Sequence, residues 1–129
     1  MKLQLILINL FFSSILFSAP VDINLAERVA SNIFAERSNT GSRDGFNVRS
    51  IDVIDDLNKN LIYIFQLDSD GFIMISADDR VQPLLAYSFE GNFILDDMPV
   101  NLSWMMDTYK NMVTYAINSE ESSTEKISA

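Results

Sequence analysis

The chain of 129 residues contains no cysteine and no histidine. Without cysteine there is no disulfide staple, no thiolate nucleophile and no thiol to carry a lipid. A core of about 110 residues can hold together without such a staple. Without histidine the chain lacks the commonest general base and the commonest metal ligand. Serine hydrolase, thiol protease and zinc enzyme chemistries therefore lose their usual parts. No other acid, base or nucleophile stands in a complementary pattern, so no enzyme activity and no cofactor are expected. Basic residues are scarce too: nine Lys and Arg stand against 18 Asp and Glu, a net charge of −9. Polyanions are attracted by basic patches, which makes nucleic acid and anionic lipid poor partners. Acidity of this kind favours solubility and, weakly, a basic partner. No internal repeat is present, and no apolar run is clean enough for a permanent membrane span.

The nearest approach to such a run lies at the start. Lys2 supplies a positive beginning, Leu3–Phe17 is mostly apolar, and Ser18-Ala19 is a small pair. That is the pattern of a secretory signal peptide over residues 1–19, with cleavage expected after Ser18 or Ala19. Gln4, Asn9, Ser13 and Ser14 interrupt the run, which suits a removed leader better than an anchor. A secreted or periplasmic location is the expectation, with no membrane attachment after cleavage. Loss of Lys2 takes the net charge from −9 to −10. Residues 20–118 are expected to form one domain, monomeric when free, and the polar residues 119–129 a disordered tail.

Along the domain the hydrophobic period changes from helix to strand and back. Asp22 is placed to cap a helix in which Ala26, Val29, Ala30, Ile33 and Phe34 form an apolar stripe. Glu27, Arg28, Glu36 and Arg37 take the wet side, and the helix is expected to stop near Arg37, before Ser38-Asn39-Thr40-Gly41. Phe46–Asp55 alternates as a strand whose phase slips after Val48, which predicts a bulge near Arg49-Ser50. Leu61–Leu67 is apolar on both faces and suits a central strand. Phe72–Ser76 and Leu84–Phe89 follow as returning strands. After a loop over Glu90–Pro99, the residues Leu102, Met105, Met106, Tyr109, Met112, Val113 and Ala116 mark a second amphipathic helix. The class is α+β: an antiparallel meander of about four strands with an N-terminal and a C-terminal helix packed on the sheet. The pattern suggests helices covering one face.

Four features invite functional readings. Asp68-Ser69-Asp70-Gly71 superficially resembles a calcium loop, but apolar Ile73 and Ile75 interrupt the ligand positions and Asp79 stands where a glutamate is needed. A hairpin turn explains it, and no metal site is expected. Asp78 and Asp79 read as a solvated turn with an Arg80 ion pair rather than a catalytic dyad, because adjacent strand residues point apart. The methionines read as core filling. Trp104 falls off the main helical stripe, which leaves an interface anchor and packing on the preceding loop equally open. Asn101 sits where a helix N-cap is wanted. The loop before it carries Asp96, Asp97 and Pro99, and is long enough to project; a projecting loop on a rigid scaffold is a common way to block a cleft.

Three blocks carry a resemblance: the strand Leu61–Leu67 followed by Gly71-Phe72-Ile73-Met74-Ile75-Ser76-Ala77-Asp78-Asp79-Arg80, then Leu84-Leu85-Ala86-Tyr87-Ser88-Phe89-Glu90-Gly91-Asn92-Phe93, then Pro99-Val100-Asn101-Leu102 with Trp104-Met105 and Tyr109. In this order the chain resembles, over about residues 22–117, the propeptide of streptopain-like cysteine peptidases and the stand-alone, Spi-type protease inhibitors of the same family. The resemblance implies a small sheet between helices. It also implies a mechanism, in which the loop leading into the last helix enters the peptidase active-site region and the catalytic histidine is held out of place. A loop asparagine lies there, and Asn101 matches it by its spacing to Tyr109. The implied inhibitory element is Asp96, Asp97, Met98, Pro99, Val100 and Asn101; Trp104 keeps its two readings, interface anchor or packing on the loop. The expected function is inhibition of a streptopain-like cysteine peptidase. The alternatives are an orphan or truncated propeptide that chaperones a separate peptidase, and a secreted adhesion or binding module.

Overall fold

The computed structural model describes residues 20–128, with side chains through residue 119. The expected leader, residues 1–19, and Ala129 lie outside the described residues. The order is α1 (Ile23–Arg37), β1 (Val48–Asp56), β2 (Lys59–Leu67), β3 (Phe72–Ser76), β4 (Leu84–Ser88) and α2 (Val100–Ser128). The four strands form one antiparallel sheet in the order β1-β2-β3-β4, a simple meander.

Local chemistry sets most of the boundaries. The Asp22 carboxylate accepts the Leu25 N–H at 2.8 Å and so caps α1, a contact that contributes about 1 kcal/mol. Ala26, Ala30 and Phe34 are the buried face of α1, as their spacing predicts, and the helix ends at Arg37 with the Ser38 N–H bonded to the Phe34 carbonyl. The β1–β2 register shifts between Val48 and Ser50, where the slipped alternation places a bulge, and again between Ile54 and Asp55. The β1–β2 turn places Leu57 and Asn58 at φ 48° and 65°, the left-handed pair that a two-residue hairpin requires. The turn before β3 has Asp70 and Gly71 at φ 67° and 106°. A Cβ on Gly71 would collide with the Ser88 carbonyl and the Phe89 Cα, so glycine is needed there for close strand approach as well as for its φ.

The helices lie on opposite faces of the sheet, not on one. Tyr63, Phe65 and Leu67 of β2 pack with Ile73, Ile75 and the buried side of α1. Ile62 and Ile64 pack with Met74 and with Met106, Val113 and Ile117 of α2. The reason is visible in β2, where every residue from Leu61 to Leu67 is buried. A strand apolar on both faces requires a layer on each. The sheet between helices that the family resemblance implies is therefore correct, and the one-face reading of the pattern is not. Within α2, Met112 is 41% exposed and does not fill the core; Met106, three residues from Tyr109 on the inward side, does. The helix also continues to Ser128, through the stretch expected as a disordered tail, since neither glycine nor proline follows Pro99 to end it.

Candidate functional site

The β4–α2 connection leaves the sheet at Ser88, and its one buried residue is Phe93. Phe93 is buried, with its ring 5.0 Å from that of Phe72. Its backbone is held by the side chain of Gln66 on β2. The Gln66 Oε1 accepts the Phe93 N–H at 3.1 Å, and the Gln66 Nε2 donates to the Phe93 carbonyl at 2.6 Å. Nε2 donates also to the Asp52 Oδ2 at 3.1 Å. Gln66 is only 4% exposed, and a buried amide left without these bonds would cost about 1–3 kcal/mol. Beyond Phe93 the chain turns outward. Ile94 is 69% exposed, while Leu95 and Met98 lean back onto the α2-side core. A groove of about 550 Å³ separates this loop from Arg49, Ser50 and Asp52 of β1.

The residues marked from the sequence fall into two groups. Asp96, Asp97 and Pro99 are exposed loop residues, and Asp97 takes a left-handed φ of 54°. Met98 is half-buried and points inward, so it holds the loop rather than projecting from it. Val100 and Asn101 already belong to α2, whose first-turn Ser103 N–H bonds the Pro99 carbonyl at 3.0 Å. Asn101 is therefore not the N-cap that its position in the sequence suggests. Helical geometry begins one residue earlier, and among the described residues no hydrogen bond holds its side-chain amide. Trp104 is 71% exposed, so it projects into solvent and does not pack on the preceding loop. Val100, Asn101 and Trp104 stand three and four positions apart and share one helix face beside the loop. Further along α2 that side carries Tyr115, 75% exposed, an aromatic the helical stripe alone does not mark.

The acidic turn after β3 is a different object. Asp78 is 1% exposed and is not solvated. Its Oδ1 accepts the Arg80 backbone N–H at 3.0 Å and Nε at 2.7 Å, and its Oδ2 accepts Nη2 at 2.7 Å. Burial pushes the Asp78 carboxyl up, but the hydrogen bonds and charge of Arg80, helped by Lys59, outweigh it and hold the group below its ordinary value. The same guanidinium reaches the Ile117 carbonyl of α2 at 3.4 Å. This carboxylate holds Arg80, and through the guanidinium it ties the β3–β4 turn to the last helix.

A family model described as Spi protease inhibitor matches residues 18–113. This chain belongs to the Spi protease inhibitor family. The matched stretch takes in α1, the whole sheet, the loop and the first half of α2. Among curated proteins the chain is similar to the thiol protease/hemagglutinin PrtT of Porphyromonas gingivalis, 32% identical over 96 residues, which is 72% of this chain and 11% of that protein. The chain thus spans about a tenth of the length of the relative it matches. No solved structure matches. Family and relative together support a protease inhibitor or propeptide role, and with it a peptidase partner.

Proposed function

We propose that this chain is an exported, non-enzymatic inhibitor of a streptopain-like cysteine peptidase, acting without a covalent bond through the segment Asp96–Asn101. One observation carries the reading: a loop fixed at its base by Gln66 and Phe93 delivers an exposed acidic segment and the wet face of Val100, Asn101 and Trp104 to one place. An apolar, aromatic patch beside a rigid loop is the composition of an interface anchor. In the active-site region of the peptidase, such an insertion separates the nucleophilic cysteine from its histidine. A thiol without that partner is neither activated nor supplied with a proton for the leaving amine. The 129 residues contain no cysteine or histidine of their own, so this segment brings no nucleophile into the site it blocks. An interface of ordinary size gives dissociation constants from nanomolar to micromolar.

The deciding experiment is a titration of residues 20–129 against an active streptopain-like peptidase, with papain as control. Stoichiometric loss of activity of the first enzyme alone is the expected result; no loss at micromolar inhibitor ends this reading. A second reading has its own support. The similar segment of the Porphyromonas protein is a small part of a much longer chain named a thiol protease. On that reading the domain is a propeptide that assists folding, and its addition raises the refolding yield of an unfolded peptidase. Export is tested by fractionation, which should find the protein in the periplasm or the medium with a new N-terminus at residue 19 or 20.

A further inference from the structure

The central strand carries an amide where its neighbours are aliphatic or aromatic. Gln66 interrupts Leu61–Leu67, the longest fully buried run among the described residues, and stays 4% exposed. An apolar side chain would fill that position with no polar group to satisfy. The amide exchanges two bonds with the backbone of Phe93, 27 residues away. These are the donor and acceptor that a residue of a neighbouring strand would offer. Its orientation is not arbitrary. The Asp52 carboxylate can only accept, so Nε2 must face it. That leaves Oε1 for the Phe93 N–H. Phe93 is thereby treated as a strand residue, while Asn92 and Ile94 on either side are exposed.

We infer that Gln66, oriented by Asp52, is the positioning residue of the inhibitory loop. It touches no peptidase itself. It sets the point from which the chain runs out to Asp96 and returns at Val100, and it keeps that segment ordered before binding. A pre-ordered loop pays less conformational entropy on association, which is where the gain in affinity arises. The inference rests on the reading of Asp96–Asn101 as the inhibitory segment.

The test joins amide hydrogen exchange of the free protein with inhibition titrations of the wild type, Gln66→Leu, Asp52→Asn and Asn101→Ala. Gln66→Leu is expected to speed exchange at Phe93 and over residues 94–99 roughly tenfold or more, from the loss of buried hydrogen bonds. The amides of β3 should stay protected, and the inhibition constant should rise by a similar factor. Asp52→Asn keeps the core intact, and is expected to move both readouts in the same direction by less; it decides the matter if Gln66→Leu does not fold. Inhibition of wild-type strength by a folded Gln66→Leu protein overturns the positioning role, and so does weakened inhibition without faster loop exchange. If Asn101→Ala weakens inhibition in those same assays, the loop assignment survives the failure of Gln66. If Asn101→Ala and Gln66→Leu both inhibit like the wild type, the loop is not the inhibitory element and the inference falls with it.

Discussion

Two acidic segments of this domain look alike in sequence and behave oppositely in the fold. Asp78-Asp79-Arg80 and Asp96-Asp97-Met98 both lie in connections between elements, and from the sequence the first reads as a solvated turn and the second as part of a projecting loop. In the first, a carboxylate is withdrawn from water and gripped by its own turn's arginine. In the second, the carboxylates stay exposed while the segment is held from behind, by Met98 and by the Gln66–Phe93 contact. The first turn spends its charge on joining β3 to α2. The second leaves its polar groups available to a partner. The contrast teaches that an acidic turn is to be judged by where its hydrogen bonds end, not by its composition.

The largest expected effect tests the structural half of this contrast. Asp78→Asn removes the negative member of a charged, hydrogen-bonded pair whose carboxylate is buried. Breaking one side of a buried pair costs about 3–5 kcal/mol, and the partial exposure of Arg80 places the expectation at about 3 kcal/mol in chemical denaturation. Inhibition per folded molecule should not change. If Asp78→Asn inhibits poorly while remaining fully folded, the turn belongs to the interface and the contrast fails.

The same carboxylate makes a pH prediction. Its folded pKa lies below the ordinary value, because Arg80 outweighs the effect of burial. Its contribution to stability is therefore complete above the unfolded carboxylate pKa of about 3.9, and is lost as pH falls through the lower, folded value. Denaturation curves from neutral pH down to acid should show the gap between wild type and Asp78→Asn narrowing only below about pH 4. A gap that is constant with pH would mean that the charge of Asp78 is not what the turn uses.

At the second segment the expected effects are on binding and not on folding. Asn101 is exposed, and it is not the cap of α2. Asn101→Ala should therefore shift stability by less than about 0.5 kcal/mol while weakening inhibition. Trp104→Ala should weaken inhibition by about 1–2 kcal/mol, the range of an aromatic interface anchor, again with little change in melting temperature. Both substitutions are read in one experiment, with thermal melts beside inhibition titrations. A loss of stability that tracks the loss of inhibition would return Asn101 to a purely structural role.

Much of the fold was legible because its determinants are local. The Asp22 cap, the alternation slip after Val48, the Phe72–Ser76 strand and the glycine at 71 each act over two to five residues. What was hidden depends on partners far along the chain. The period of α1 and α2 shows that each has an apolar face, but not which side of the sheet it covers. Asp78 looks solvated until the carbonyl of Ile117 comes within reach of Arg80. Gln66 looks like a flaw in a hydrophobic run until Phe93 arrives from 27 residues away. Of the candidate site, the loop and Trp104 could be marked from the sequence. The anchor that holds them could not, although an amide inside seven buried positions was a signal that something polar had to meet it.

The smallest expected effect separates exposure from function. Leu57 and Val100 are both 87% exposed, yet only Val100 lies beside the loop. Leu57 occupies a left-handed turn position at φ 48°, which a leucine adopts at a cost of roughly 1–2 kcal/mol and asparagine more easily. Leu57→Asn should raise stability by about 0.5–1 kcal/mol by relieving that strain, and it removes an exposed apolar side chain of the same prominence. Inhibition by Leu57→Asn should equal that of the wild type. Should it weaken inhibition as much as Trp104→Ala, the partner reads exposed apolar surface over the whole domain, and the loop holds no privileged place in the complex.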